Sequence, residues 1–175
     1  FIYPRPDLGE AKYRFNWQTP IWLSKHNQDI FYYGTNQFHR SMQKGENLEA
    51  LSTDLTNGGR EGDVPFGTST TLVESPMKFG LIYIGTDAKG IGVYDLRKKQ
   101  FYKWTDIKGN GDYRAFGSVY AIRQDDDQSL WLGTSGYGLI HLKIARDKTG
   151  RPALLFLERY TFNNNDTGPA NDIIY

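Results

Sequence analysis

The sequence predicts an all-β fold that is assembled from repeated units of four antiparallel strands. Three observations carry this prediction: a signature that recurs, a set of strand-like segments that recurs around it, and a composition that favours sheet. The signature is two aromatic or apolar residues followed by Gly-Thr, and it stands as YYGT at 32–35, YIGT at 83–86 and WLGT at 131–134. Aromatic residues make up 15% of the chain, with 12 Tyr and 10 Phe, and such residues are enriched in strands.

Each signature lies in the second of four predicted strands. An apolar first strand stands about 13 residues before each signature glycine, as TPIWL, TTLVE and SVYAI. A polar turn separates it from the signature in every copy. The third strands are QFHRSM, GIGVYD and GLIHLK, and the fourth strands are NLEALS, FYKWTD and LFLERYTF. Four antiparallel strands that recur every 40 to 50 residues or so are the sequence mark of β-propeller blades.

The glycines of the stretch LIYIGTDAKGIGVYD, residues 81–95, allow another interpretation, a phosphate-binding loop. Such a loop needs a helix directly after its glycines, with the helix N-terminus at the phosphate. Here the glycines are followed by VYDLRKKQFYKWTD, a pattern typical of a strand, a charged turn and a second strand. The stretch is therefore interpreted as the middle of a blade, and no cofactor is predicted.

The predicted blades span residues 17–52, 69–106 and 117–162, within one domain of 175 residues. Two further strands are predicted at the ends of the chain, at 1–4 and 171–175. Closed propellers contain four to eight blades, so three blades and two strands make an incomplete ring. Open blade faces and sheet edges favour pairing with another chain. We expect a homodimer, with a higher cyclic oligomer as the alternative, unless the chain is a fragment of a larger propeller.

Composition and charge exclude several classes of function. The net charge of +1 gives no broad attraction to nucleic acid. The absence of cysteine excludes disulfides, thiol catalysis and thiolate metal sites. No run of about 18 apolar residues is present, so no membrane span is predicted.

The sequence offers little support for catalysis, and neither a catalytic residue nor a metal ligand is predicted. The histidines, His26, His39 and His141, lie in a turn and in third strands of different blades, without the close spacing of a metal pair. The acidic run at 125–127 lacks the glycine and the distal glutamate of a calcium loop. It lies in a turn between two strands, where Asp is favoured for its bonds to the backbone.

Glycoside hydrolysis requires two carboxylates that flank one bond, about 5 to 9 Å apart. Acidic residues such as Glu74, Asp112 and Asp172 are present, but nothing in the sequence pairs them. An enzyme is therefore not predicted.

Ligand binding has more support, at the connections that lead into each innermost strand and crowd the mouth of the central channel. The connections YRFNWQT and DYRAFGS both carry Tyr-Arg with a Phe close behind. Arginine beside aromatic rings suits stacking on sugar rings and pairing with carboxylates. The alternative is that the phenylalanines wedge between blades as packing. The predicted ligand-binding residues, for a carbohydrate, are Arg14, Trp17, Tyr113 and Arg114.

The first half of the chain resembles the BNR/Asp-box propeller family, which is related to sortilin-type propellers and includes proteins described as glycosyl hydrolases. The residues that carry the resemblance are YRFNWQTPI at 13–21 and LSKHNQDIFYYGTNQFHRSMQKGENLEALSTDLT at 23–56, and it extends over about 1–87. The Asp-box turn pattern, Ser-x-Asp-x-Gly-x-x-Trp, is degraded here. Gln43 and Leu48 stand in place of its acid and its tryptophan.

The second half, about 88–175, resembles the two-component regulator propeller, a family that forms the periplasmic sensor region of hybrid histidine kinases. The residues that carry this resemblance are GIGVYDLRKKQFYKWT at 90–105, GSVYAIRQDDDQSLWLGTSGYGLIHL at 117–142 and RYTFNNNDTGPANDIIY at 159–175. The two patterns meet inside GTDAKG. The sequence is therefore interpreted as an engineered chimera, with a natural mosaic as the alternative.

These resemblances imply a function as well as a fold. They imply a non-enzymatic propeller module of extracellular or periplasmic ancestry, with descent from a sensor of extracellular glycans. If the chain is an engineered chimera, the property of interest would be the assembly of its blades. The alternative is a fragment of a carbohydrate-active enzyme of the BNR type.

Overall fold

The computed structural model describes residues 2–56, 58, 67–87, 90–103, 117–126 and 128–161. These residues form twelve strands in three four-stranded antiparallel sheets, and no helix occurs among them. In each sheet the strands lie side by side in chain order, so every connection joins neighbouring strands. The all-β prediction of four-stranded antiparallel blades is confirmed.

Each sheet corresponds to one signature repeat. We refer to the three sheets as the first, second and third blades. The strands of the first blade are β1 (Ile21–Leu23), β2 (Phe31–Gly34), β3 (Phe38–Ser41) and β4 (Glu49–Ala50). Those of the second are β5 (Ser69–Glu74), β6 (Leu81–Thr86), β7 (Gly90–Asp95) and β8 (Gln100–Lys103). Those of the third are β9 (Val119–Gln124), β10 (Ser129–Thr134), β11 (Leu139–Arg146) and β12 (Pro152–Tyr160).

The blades pack face to face around a common inner edge formed by their first strands. Strand β1 contacts β5, and β5 contacts β9. Alternation along each strand sends successive side chains to opposite faces of a blade. In β6, Ile82 and Ile84 therefore join the core against the first blade, and Tyr83 joins the core against the third. Every residue of β6 and β7 is buried, because both faces of the second blade are covered.

The signature glycines allow this close packing. A Cβ atom on Gly34 would stand 3.0 Å from the Cβ of Ser69, the first residue of β5. One on Gly85 would stand 2.9 Å from the carbonyl oxygen of Val119, the first residue of β9. Any side chain at either position would push the next blade away. The glycine recurs because the inner strand of the following blade passes directly over it.

The chain before β1 packs on part of the outer face of the first blade, around the turn after β3, instead of adding a strand to a sheet. Pro4 is buried, and the Ile2 side chain lies where a Cβ on Gly45 would be, at 2.8 Å. The Tyr13 ring meets the fully buried His39 ring edge-on, with centroids 4.7 Å apart. The expectation of a strand at 1–4 is thus not met for residues 2–4, which pack through side chains on the turn after β3. The expected strand at 171–175 lies outside the described residues.

In the described part of the chain, no other blade packs on the outer face of the third blade, which we call the open face. Its alternating side chains that point away from the core include Trp131, His141 and Tyr160, which are each only partly buried. Leu130 and Leu132, which flank Trp131, are fully buried against the second blade. Among the described residues, the second blade is therefore packed between two other blades, while the outer faces of the first and third blades have no blade against them.

Candidate ligand-binding site

Arg14 lies in the connection that enters β1, as predicted, and its guanidinium is engaged by three oxygen atoms. Its Nη2 donates to Asp54 Oδ2 at 2.5 Å, to Thr56 Oγ1 at 3.0 Å and to the Gly67 carbonyl at 3.3 Å. Its backbone N–H donates to Asn36 Oδ1, and its carbonyl accepts from the Asn36 N–H, both at 2.8 Å. Arg14 thereby joins the segment before β1 to the β2–β3 turn and to the connection that leads into the second blade.

The carboxylate of Asp54 is the main partner of this arginine. Burial acts to raise the pKa of Asp54, but hydrogen bonds from Thr56, Arg14 and Asn36 outweigh it and hold the pKa below its usual value. Asp54 also accepts from the Thr56 backbone N–H at 2.8 Å, which closes a short Asx-type turn. The arrangement is a partly buried ion pair within a network, which holds Arg14 in one position.

Trp17 presents a different environment, three residues further along the same connection. It is 91% exposed, and its backbone N–H donates to its neighbour Asn16. A tryptophan this exposed offers an unobstructed ring face for stacking. Tyr113 and Arg114, the other two predicted residues, lie outside the described residues. The structure thus places Arg14 and Trp17 on the same connection, where Arg14 is partly buried and Trp17 is exposed.

The partners of Arg14 were not predicted from the sequence. Asp54 lies 40 residues from Arg14 and Gly67 lies 53 residues away, so no local pattern links them. One local signal was present, since Asp-x-Thr at 54–56 is a turn-forming pattern. That pattern identifies a turn but not the arginine that it receives.

Glu74, one of the acidic residues considered for catalysis, is a buried carboxylate with three hydrogen-bond donors. Ser24 Oγ donates at 2.5 Å, the Tyr32 hydroxyl at 2.9 Å and the Gly80 N–H at 3.1 Å. Burial and the nearby Glu74 charge raise the pKa of Tyr32, so its hydroxyl remains a donor. These bonds connect the first blade to the second and leave Glu74 little capacity to act on a substrate. Asp112 and Asp172 lie outside the described residues.

The three histidines occupy separate environments. His39 is fully buried, its Nε2 lies 2.9 Å from Thr35 Oγ1, and burial lowers its pKa to about 4. His26 Nε2 lies 2.8 Å from the Ser75 carbonyl, and His141 stacks on Trp131. Among the His, Asp and Glu side chains that the structure describes, no three are grouped so that they could hold a metal ion. No helix in this part of the chain is long and apolar enough to cross a membrane.

One family model matches a short part of the chain. The model of the family "Two component regulator propeller" matches residues 114–136, a segment that includes β9 and β10. No curated protein sequence matches the chain significantly.

One solved structure shares the arrangement of blades. It is a crystal structure described as the extracellular domain of a hybrid two component system from B. thetaiotaomicron, and its TM-score is 0.57 at 16% sequence identity. The similarity covers 90% of this chain and 20% of that one, so the chain spans about a fifth of its length. At this identity the similarity shows the fold. The chain is a run of three β-propeller blades, and its third blade contains a match to the two component regulator propeller.

Proposed function

We propose that the chain is a non-enzymatic β-propeller module from the extracellular sensor region of a two component system. The family match and the fold shared with the extracellular domain of such a system support this proposal. It is carried by the open outer face of the third blade, because such a face is completed by a further blade in a closed propeller. In this proposal the module lies outside the cell or in the periplasm. It acts by binding and assembly rather than by catalysis.

The open face has the character of an unfilled blade interface. The rings of Trp131 and His141 stack with centroids 4.0 Å apart and an angle of 1° between their planes, and Tyr160 lies 5.9 Å from Trp131. The Ser129 hydroxyl lies 2.8 Å from His141 Nε2, which fixes the imidazole plane. A flat, ordered aromatic surface of this kind suits burial against a second surface.

The occupant that we propose for this face is a second copy of the chain. Two copies supply six full blades, which lies within the four to eight blades of closed propellers. Ile21 and Leu23, on the outer face of the first blade, are 59% and 64% exposed, so the opposite end of the arc also offers apolar surface. In a two-fold ring the third blade of each copy meets the first blade of the other, with a higher cyclic oligomer as the alternative.

The environment of Trp131 tests this assembly. With 5-fluorotryptophan in place of tryptophan, the ¹⁹F resonance of Trp131 is expected to shift as the chain concentration rises from micromolar to millimolar. The resonance of Trp22, which packs between the first and second blades, serves as the internal control. A Trp131 resonance that stays constant over this range would contradict burial of the face between copies.

A carbohydrate is the ligand that we propose for the connection before β1. Trp17 supplies the exposed ring for stacking, and Arg14, held by Asp54, fixes the backbone of the connection that carries it. Tyr113 and Arg114 are included in the proposed site. A panel of polysaccharides and sialosides is expected to yield a saccharide whose affinity falls about tenfold in Trp17→Ala, the loss typical for one stacking contact. Phe79→Ala, which removes another exposed ring from a different turn, is the matched control.

The same panel distinguishes a binding module from the alternative, a fragment of a carbohydrate-active enzyme. A module leaves each saccharide intact. Turnover above the buffer background, abolished by replacing a single acidic residue, would overturn the non-enzymatic proposal.

We further propose that the two halves of the chain have separate origins, as an engineered chimera or, alternatively, a natural mosaic. The restriction of the family match to 114–136 supports this, because the BNR-like residues lie before it. The second blade contains strands from both sides of the junction at 87–88. Strand β6 lies before the junction and β7 after it, and they pair along the whole of Leu81–Thr86. Amplification of one continuous coding segment across 81–95 from bacterial DNA would contradict an engineered origin.

A further inference from the structure

A cleft of about 540 Å³ lies between the second and third blades. It is formed by the β5–β6 turn, the β9–β10 turn and the β11–β12 hairpin. Strand β5 has six residues and is therefore about 20 Å long. The Arg14 network lies at the start of β5, and the cleft begins at Ser75, directly after its end. The cleft is thus at the opposite end of the blades from the proposed carbohydrate site.

The polar wall of the cleft is cationic. Lys78, Lys143 and Arg146 all line it, and within the described part of the chain no carboxylate forms an ion pair with any of them. Arg146 Nη1 donates to the Gly150 carbonyl at 2.9 Å, which orients the guanidinium. Burial lowers the pKa of Lys78 most, and the positive charges of Arg146 and Arg97 lower it further. Lys78 is therefore close enough to these two arginines to be repelled by them.

The carboxylates near the cleft accept hydrogen bonds from backbone N–H groups. Asp95 accepts from the backbone N–H groups of Arg97 and Lys98, and its charge offsets only part of their effect on Lys78. Asp126 accepts from the Gln128 N–H at 2.7 Å. An anion that enters the cleft would therefore meet cations whose charge the described residues leave uncompensated.

Two buried polar atoms beside the cleft have no hydrogen-bond partner of regular geometry among the described residues. Tyr83 is fully buried, and the Ser75 hydroxyl lies near enough to lower its pKa as a hydrogen bond would, but outside the geometry of one. Burial is the larger influence and raises that pKa, so the hydroxyl carries its proton and can donate. Gln124 uses its Nε2 to donate to the Asp126 carbonyl at 2.6 Å, while its Oε1 is buried without a donor. Both atoms are shielded from solvent, so they lie behind the wall of the cleft and not on its open surface.

We propose that this cleft binds a small organic phosphate or sulfate ester. Lys78 and Arg146 would bind the oxyanion, because both line the cleft and neither has an ion-pair partner among the described residues. Met77, Leu81 and Ile144 line the remainder of the cleft and suit a compact apolar body. The volume lies within the range of small-molecule sites. More than one cation at the wall favours a group with up to two negative charges over a single carboxylate.

The test is isothermal titration calorimetry of the whole chain with phenyl phosphate and phenyl sulfate, and with benzyl alcohol as the neutral probe. We expect the two esters to bind, their affinity to fall as NaCl is raised, and the alcohol to show no binding. The two esters distinguish a phosphate site from a sulfate site. Binding of benzyl alcohol as tight as that of the esters would overturn the proposal, because the cations would then contribute nothing.

Variants locate the site. Lys78→Met combined with Arg146→Met is expected to weaken ester binding at least tenfold, the loss typical for charge-assisted hydrogen bonds. Lys148→Met combined with Arg151→Met removes the same charge from the tip of the same hairpin, outside the cleft, and should leave the affinity unchanged. Tyr83→Phe, which deletes a buried oxygen atom behind the wall and keeps the ring, should leave the affinity unchanged. Equal affinity in the wild type and in both double variants would overturn the proposal. Esters that fail to bind while a phosphopeptide or acidic peptide binds at Lys78 and Arg146 would overturn it in favour of a protein partner.

Discussion

His39 is the residue whose burial makes stability depend on pH. Its pKa is lowered to about 4 from 6.5 by burial of the ring, which lies edge-on to Tyr13 and has Thr35 as its hydrogen-bond partner among the described residues. Below pH 6.5 the unfolded chain takes up a proton at this histidine that the folded chain does not. The contribution of His39 to stability is therefore complete above its unfolded pKa and is lost as the pH falls toward its folded pKa.

We expect the free energy of unfolding to decrease by up to about 1.4 kcal/mol per pH unit between pH 6.5 and 4 through this residue alone. The measurement is urea unfolding at a series of pH values, for the wild type and His39→Gln. Carboxylates titrate in both proteins, so the difference between the two slopes isolates the histidine. Parallel slopes in the two proteins would show that His39 is not buried in its neutral form.

Arg14 is expected to act on stability more than on ligand affinity. Arg14→Met removes three hydrogen bonds that join the segment before β1 to Asp54, Thr56 and Gly67. Because the pair is partly exposed, the expected loss is about 1 to 2 kcal/mol of unfolding free energy. Arg5→Met, at an arginine that lies over the Tyr3 ring near the chain start, is the control. A destabilisation by Arg14→Met no greater than that by Arg5→Met would contradict the anchoring role.

At the scale of elements, the signature strands β6 and β10 are predicted to respond differently to truncation. Ile84 is fully buried between the first and second blades, so Ile84→Ala should cost about 2 to 5 kcal/mol. Trp131 lies on the open face, so in dilute solution Trp131→Ala should cost only about 1 kcal/mol through its stacking on His141. The midpoint of chemical denaturation measures the loss of stability in each variant. Equal losses would mean that the register or the open face has been assigned wrongly.

The strands and their grouping could be predicted because the information is local. Alternating apolar residues, polar turns and a glycine at a fixed place in the second strand specify each blade within about 40 residues. The turn after β3 shows how robust this is. Ser41 Oγ still accepts from the Gln43 and Gly45 N–H groups, so the turn forms although the acid and tryptophan of the Asp-box pattern are replaced.

The rest could not be predicted because it depends on contacts between distant segments. The sequence pattern of residues 1–4 resembles a strand, yet residues 2–4 pack through side chains on another turn. Arg14 was predicted as a ligand-binding residue from its aromatic neighbours, whereas Asp54 was not linked to it. The cationic cleft combines residues from the second and third blades that are up to 77 positions apart, Ser75 and Pro152 among them.

For the whole molecule, the account depends on what completes the ring. The described residues form three blades with an aromatic outer face on the third, and the chain spans a fifth of a structurally similar protein; we propose that further blades complete the ring. Within the second blade, coverage of both faces buries every residue of the two central strands. We expect the third blade to reach the same state only when a partner is present.

Sedimentation velocity of the isolated chain, from about 1 to 100 µM, tests this claim most directly. We predict a species of twice the 20.1 kDa chain mass, or a higher cyclic multiple, that grows with concentration. Trp131→Glu, which places a charge in the centre of the open face, should shift the chain to a folded monomer, and Phe79→Glu, at an exposed ring in the β5–β6 turn of the second blade, should not. A folded wild-type monomer of 20.1 kDa throughout this range would contradict the proposal that a second copy closes the ring.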